Sequence, residues 1–455
     1  MPQKKTDVLV FINRSSSEFE WILPSLVWLA DHNQRVSIVF QRNREFEYLR
    51  HSKALSETTM RAGITTYCFE AWVKDAAALN RRLLSLAIRL IQPEVNLKLS
   101  GAYQFGLALL TKIVVRRFFE TQAIPIEAKV LLVDNSFYKD VELKERGRFA
   151  IAFLKLIKTD NVVIFPHLSS PDVERVPATE SGIRHSFPQN DVALNSSPDW
   201  HRDRAHTRRT LIITDSYIGA TQYNRDRGLR IELVGSPKLQ KWWIDRTRTP
   251  DPERRTQSRI LIFSKQRGGQ FRVYKNISSS LLLQEVIEVC ESKNLDWRLK
   301  LHPRDDVHIV EQVLNQSTSK RLEQVILRDS ILDSSGQFDA TVALPSSASM
   351  DAVGRRLPST YYFRTDPDES RAEFPSMPWV NAGIVSACSN RQQLSDFLDL
   401  ATISSPERSE LISRQYSALI GSYASTRSAA DVIESILSGQ LSGQDTVRTQ
   451  TRPKI

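Results

Sequence analysis

The chain has 455 residues, 41% hydrophobic and 25% charged; this composition fits a soluble globular protein, and the length is too great for one ordinary core, so two or three domains are expected. A formal charge of +10 suits a nucleotide, an anionic membrane surface or nucleic acid as partner and does not choose among them. The three cysteines (Cys68, Cys290, Cys388) have no metal-ligand spacing and build no disulfide framework, no run of about 18 uncharged apolar residues offers a membrane span, and the first residues lead into a strand without a signal-peptide core; a cytoplasmic protein is expected.

In chain order, residues 8–12 form a continuous apolar run that reads as a buried parallel strand. The polar turn 13–17 follows, then a helix carrying Trp21, Leu23, Leu26, Val27 and Leu29, then a second strand at 36–40. This is a β-α-β unit without the G-x-G-x-x-G loop of dinucleotide sites. Glu18 and Glu20 stand at the start of that helix, where an acid also complements the helix dipole. Residues 50–125 are mostly helical in pattern, with apolar residues three and four apart over 83–91 and 107–119. The second stretch also carries Lys112, Arg116 and Arg117. Such a basic amphipathic helix can touch an anionic membrane peripherally, at the inner face of the plasma membrane; the same residues describe the solvated face of a core helix, and both readings stay open. Strands are expected at 130–133, ending at Asp134, and at 162–165, running into His167, with a helix at 151–157 between them. The polar span 172–209 reads as a long loop, and strands at 211–214 and 231–234 close the first half.

Residues 246–258 are polar and contain two prolines, so the chain divides into a first domain over 1–240, an exposed linker over 241–258, a second domain over 259–438 and a disordered tail over 439–455. The second half repeats the alternation, with strands at 260–263, 297–301, 325–327, 340–344 and 361–363 and helices at 281–290, 307–314, 394–400 and 431–437. The first of these strands leads into Ser264-Lys265-Gln266-Arg267-Gly268-Gly269, a basic glycine-containing loop suited to phosphates. Trp297, Leu299 and Leu301 lead to His302-Pro303. Proline cannot donate to a sheet ladder, so His302 is expected at the carboxyl end of a strand, where open α/β sheets bind ligands. The run 340–344 breaks into Pro345-Ser346-Ser347-Ala348-Ser349-Met350-Asp351, whose serines suit both helix capping and phosphate binding.

Taken as an ordered series, these stretches resemble a known group of enzymes. Lys300-Leu301-His302-Pro303 is similar to the His-Pro motif of bacterial sialyltransferases, polysialyltransferases and capsule-assembly transferases, and to that of the CDP-glycerol glycerophosphotransferases. Pro345-Ser346-Ser347-Ala348-Ser349, followed by Asp351-Ala352 and Gly354-Arg355-Arg356-Leu357-Pro358, resembles their serine motif, helix and Gly-x-x-x-Pro continuation. Val234-Gly235-Ser236-Pro237 is similar to the Gly-x-Pro between their domains, and Val163-Ile164-Phe165-Pro166-His167 to their strand ending in His-Gly, with Leu168 in place of the glycine. The resemblance covers most of the chain. It implies an α/β fold of the GT-B type, two Rossmann-like domains facing across a central crevice. It also implies a glycosyltransferase that moves a sugar from a nucleotide-activated donor, CMP-, CDP- or UDP-linked, to a surface polysaccharide or glycolipid acceptor, with no metal and no other cofactor.

On that resemblance the donor nucleotide and its phosphates would be held from the second domain by His302, Ser346, Ser347, Ser349, Lys265, Arg267 and Asp351, with Lys265 and Arg267 neutralising the leaving diphosphate. Transfer also needs a general base near the acceptor hydroxyl. The Asp/Glu-Asp/Glu-Gly triplet that carries it in the sialyltransferases does not occur before residue 236, which leaves His167, whose ordinary pKa suits the task, then Glu18 or Glu20, with Asp134 a further strand-end candidate. Two neighbouring readings are transfer of a polyol phosphate from a CDP-alcohol and a catalytically inactive GT-B scaffold in polysaccharide assembly. Nucleic-acid binding is disfavoured, because the arginines are scattered and no aromatic–basic interleaving occurs.

Overall fold

The computed structural model describes residues 5–13, 16–76, 101–134, 148–166, 209–215, 230–247, 257–265, 279–302, 305–344, 346–364, 378–423, 425 and 427–440. The chain divides into two compact units, each built on its own parallel sheet. The fold class expected from the sequence, α/β with two Rossmann-like units, is the one observed.

The first unit holds β1 (Thr6–Ile12), β2 (Val36–Phe40), β3 (Thr65–Cys68), β4 (Ala128–Asp134), β5 (Asn161–Phe165), β6 (Arg209–Thr214) and β7 (Arg230–Leu233), in the order β3-β2-β1-β4-β5-β6-β7. Every residue of β1 and β2 is buried, which is why the sequence shows unbroken apolar runs there rather than alternation. Leu9, Phe11, Leu131 and Val133 pack with Val115, Phe118, Phe119 and Phe153 from the helices Gly101–Thr121 and Arg148–Leu156. The Phe11 and Phe153 rings stack at 4.3 Å. The helix that follows β1, α1 (Ser16–Asp31), packs on the last described helix, Ala429–Leu437, which also touches β4.

The second unit holds β8 (Arg259–Phe263), β9 (Asp296–Lys300), β10 (Ala340–Ala343), β11 (Ser359–Tyr362) and β12 (Ser386–Cys388), in the order β12-β11-β10-β8-β9. As the edge strand, β9 buries Trp297 and Leu299 while Asp296, Arg298 and Lys300, which alternate with them, stay half-exposed. In each unit the chain builds outwards from its first strand in both directions, so strand order reverses between β1 and β4 and again between β8 and β10.

The structure departs from the sequence reading at several points. Residues 325–327 are not a strand. A short helix, Leu322–Val325, takes the first of them, and Ile326 makes a single bridge to Leu299. Three apolar residues in a row suit a helical turn as well as a strand. Within the span read as helical, Thr65–Cys68 pairs with β2 as a four-residue strand, too short to carry a period. The expected linker 241–258 begins with a helix, Lys241–Arg246, because Trp243 and Ile244 bury and outweigh the polar residues around them. Among the described residues, those from 239 to 423 group into the second unit, and Ser425 and 427–440 group with the first. The expected helix at 83–91, nearly all of the loop at 172–209 and the tail beyond 440 lie outside the described residues.

Candidate functional site

Ligands of open α/β sheets bind outside the carboxyl ends of the strands, where strand order reverses. In the second unit that place lies between β8 and β10. Just past β8, the Ser264 main-chain N–H completes the ladder to the Lys300 carbonyl at 3.0 Å. The Ser264 hydroxyl is 2% exposed and has no hydrogen-bond partner among the described residues. Leaving a buried hydroxyl unpartnered costs roughly 1–3 kcal/mol, and such groups in native proteins commonly answer to a ligand or an ordered water. Lys265 follows, half-buried.

Beyond β10 the chain reaches Ser346, Ser347 and the helix Ala348–Gly354. Ser346, not Ser347, provides the capping hydroxyl, accepting the Ala348 N–H at 3.3 Å, while Ser347 occupies the cap position without such a bond. With seven residues the helix adds little dipole of its own. Ser349 is fully buried, its hydroxyl beside the Tyr361 phenol. That phenol donates to the Ser346 carbonyl at 2.7 Å, and burial holds its pKa far above the ordinary value, so it stays a donor. Asp351 lies half-buried one turn into the helix.

On the other side of β8, His302 stands two residues past β9, half-buried. Its N–H donates to the Asp305 carboxylate at 2.8 Å, and the Asp305 N–H donates back to the His302 carbonyl at 2.9 Å, a tight turn that fixes the histidine backbone. Lys300 is committed elsewhere, donating to the carbonyls of Arg328, at 3.2 Å, and Asp329. Three adjacent strand ends thus place Ser264, Lys265, His302, Ser346, Ser347, Ser349 and Asp351 along one edge of one sheet. Arg267 lies outside the described residues.

The carboxyl edge of the first unit has a different chemistry. At the reversal between β1 and β4 the Asn13 N–H donates to Asp134 Oδ2 at 2.7 Å, tying the two strand ends together over a fully buried carboxylate. Glu18 is buried in the first turn of α1. Glu20 is half-buried and accepts the Tyr48 hydroxyl. Past β6, Asp215 is buried and accepts the Trp21 indole N–H at 2.6 Å. Past β2, Glu45 is buried in the helix Asn43–His51, and one of its oxygens has no hydrogen-bond partner among the described residues. Burial pushes the Glu45 carboxyl up, against the smaller opposing pull of Arg42 and Arg44. His167 lies outside the described residues.

One unit thus presents hydroxyls and a cation where an anion would sit, and the other presents buried carboxyls suited to holding or moving a proton. Sequence reasoning placed Ser264 in the phosphate-suited loop after its strand without singling it out, and missed Asp215 and Glu45. Asp215 follows directly on a strand, which was the available signal; Glu45 offered none, because acids in a first helical turn are common. Among the described residues no three His, Cys, Asp or Glu side chains are grouped to hold a metal ion, and no helix is long and apolar enough to cross a membrane.

No protein-family model matches the chain, and no curated protein matches its sequence. Among solved structures the chain is similar to a putative UDP-N-acetylglucosamine 2-epimerase from Listeria monocytogenes, with 12% identity, 96% of each chain covered and a TM-score of 0.47. It is also similar to the calicheamicin glycosyltransferase CalG4, with 11% identity over 95% of this chain and 98% of that one and a TM-score of 0.41. A glycosyltransferase from Rickettsia africae gives 9% identity over 96% and 97% and a TM-score of 0.41. All three are loose likenesses.

Proposed function

We propose that this chain is a nucleotide-sugar-dependent glycosyltransferase of the GT-B type, working on a surface polysaccharide or glycolipid acceptor without a metal ion. The observation that carries the reading is the edge of the second sheet. At the reversal between β8 and β10 a buried Ser264 hydroxyl lacks a partner among the described residues, the buried Ser349 follows the neighbouring strand, and Lys265 and His302 stand on the same and the next strand end. Hydroxyl and cationic donors in that position suit the phosphates of a nucleotide. The second unit would hold the donor, with Lys265 and Arg267 balancing the charge of the leaving nucleotide. The first unit would supply the proton acceptor for the acceptor hydroxyl, from His167 or Glu18. Glu20, whose carboxylate accepts the Tyr48 hydroxyl, is a further candidate.

The test is a thermal-shift panel of CMP, CDP, UDP, GDP, CDP-glycerol and short DNA at low and moderate salt, on the native protein and on His302→Ala. A ligand that binds only the folded state adds about 2.7 kcal/mol at a hundredfold excess over its dissociation constant. One nucleotide is expected to raise the midpoint, and to raise it less in the variant. A shift with CDP-glycerol beyond that of CDP moves the donor to polyol phosphates. A salt-sensitive shift with DNA alone, or no shift with any nucleotide, overturns the reading. With the matching sugar nucleotide, turnover unchanged by EDTA is expected.

A further inference from the structure

The helix Gly101–Thr121 is apolar on two sides. One side enters the core of the first unit through Val115, Phe118 and Phe119, all nearly inaccessible to solvent. The other carries Leu109, 52% exposed, and Ile113, 56% exposed, one turn apart. Among the described residues, six large hydrophobic side chains are exposed, and only these two share an element. Single exposed apolar residues need no explanation, but two of them one turn apart among charged side chains, on a helix whose other side is already buried, make a second, amphipathic face.

The cations around them indicate what the cover is. At about 100° per residue, Leu109 and Ile113 fall in the middle of the exposed arc, with Lys112 and Arg116 on one flank and Arg117 on the other. Lys112, Arg116 and Arg117 are all exposed. Glu120, on the same arc, is balanced by Arg116 at 2.9 Å. Neither Lys112 nor Arg117 has a carboxylate partner among the described residues. An apolar ridge between unpaired cations suits an anionic bilayer surface: the two aliphatic side chains enter the acyl boundary and the long basic side chains reach up to the head groups. A net charge of +10 adds long-range attraction to the same surface.

We propose that this face of the helix docks the protein on an anionic lipid bilayer. The inference does not rest on the transferase reading, and either can fail alone. The test is co-sedimentation of the full chain with vesicles of phosphatidylcholine, with and without phosphatidylglycerol, at low and high salt. Binding is expected only with the anionic lipid and is expected to weaken with salt. The pair Lys112→Ala/Arg117→Ala should lower the partition coefficient by about twenty-five-fold, at roughly fivefold per cation. The pair Leu109→Ser/Ile113→Ser should lower it as well. Neither pair touches the buried side, so melting temperature and nucleotide shifts should stay those of the native protein. If the serine pair fails to fold, the alanine pair still decides. Failure of the native chain to pellet with anionic vesicles overturns the proposal, as does equal binding to neutral vesicles. A concentration-dependent dimer abolished by the serine pair would assign the face to a second copy instead.

Discussion

At the amino end of β1 the Asp7 carboxylate sits between Arg35 Nε, at 3.0 Å, and Lys129 Nζ, at 3.1 Å. Burial alone would raise its pKa, but the Arg35 side chain and N–H together with Lys129 outweigh burial and hold it at about 2. The folded value lies below the unfolded one, so the group stabilises the fold above pH 4 or so and loses that contribution as pH falls towards 2. Because both partners are more than half exposed, the contribution is roughly 1–2 kcal/mol rather than the full shift. Asp7→Asn should therefore lower the denaturant midpoint at pH 7, and its difference from the native protein should shrink as pH falls towards 2. Ser264 is the opposite case, since nothing in the described fold rewards its hydroxyl. Ser264→Ala should raise stability by about 1 kcal/mol while weakening nucleotide binding several-fold. Thermal denaturation and a binding titration on the same variant separate the two signs. Loss of stability with unchanged binding would make Ser264 a structural residue.

The helices and strands of the second unit hold together through side chains that the sequence does not advertise. In the helix Pro406–Ser422, Gln415 is almost fully buried. Its amide accepts the Ser359 N–H at 2.9 Å and donates to the Ser359 carbonyl at 2.8 Å, taking the place of a neighbouring strand at the start of β11. It also donates to the hydroxyl of Ser386, the first residue of β12, at 3.1 Å. Gln415→Leu keeps the volume but strands two buried main-chain groups, and should cost about 2–3 kcal/mol in chemical denaturation. A loss under about 0.5 kcal/mol would mean that water replaces the amide. A polar residue in mid-helix ordinarily reads as a solvated position, so nothing in the residue order marks this one. By contrast, most element positions were legible, because a strand buried on both faces must be apolar throughout. β2 was expected at 36–40 and is Val36–Phe40, and the expected strand at 260–263 lies within Arg259–Phe263.

At the scale of the whole molecule the chain divides into two compact units, with one sheet of seven strands and one of five among the described residues. Two units of this size are expected to melt in more than one step. Calorimetry should resolve two transitions, and the nucleotide that passes the thermal-shift panel should raise the one assigned to the second unit by hydrogen exchange. A single calorimetrically two-state transition would contradict this. A nucleotide that protects only the first unit would place the donor on the wrong sheet and undo the assignment of His302 and Ser264.

The sequence by itself determined the α/β class, most of the strands, and His302, Ser346, Ser347 and Ser349 as residues that follow strand ends, because buried parallel strands and proline stops are local signals written in consecutive residues. Only the tertiary structure decided which strands are neighbours. That decision put the reversal between β8 and β10, left Ser264 buried without a partner beside it, set Asn13 against Asp134, and returned the helix Ala429–Leu437 to the first unit. Each of these depends on residues up to hundreds of positions apart, and the free energy of such pairings is settled by packing and desolvation rather than by any local pattern.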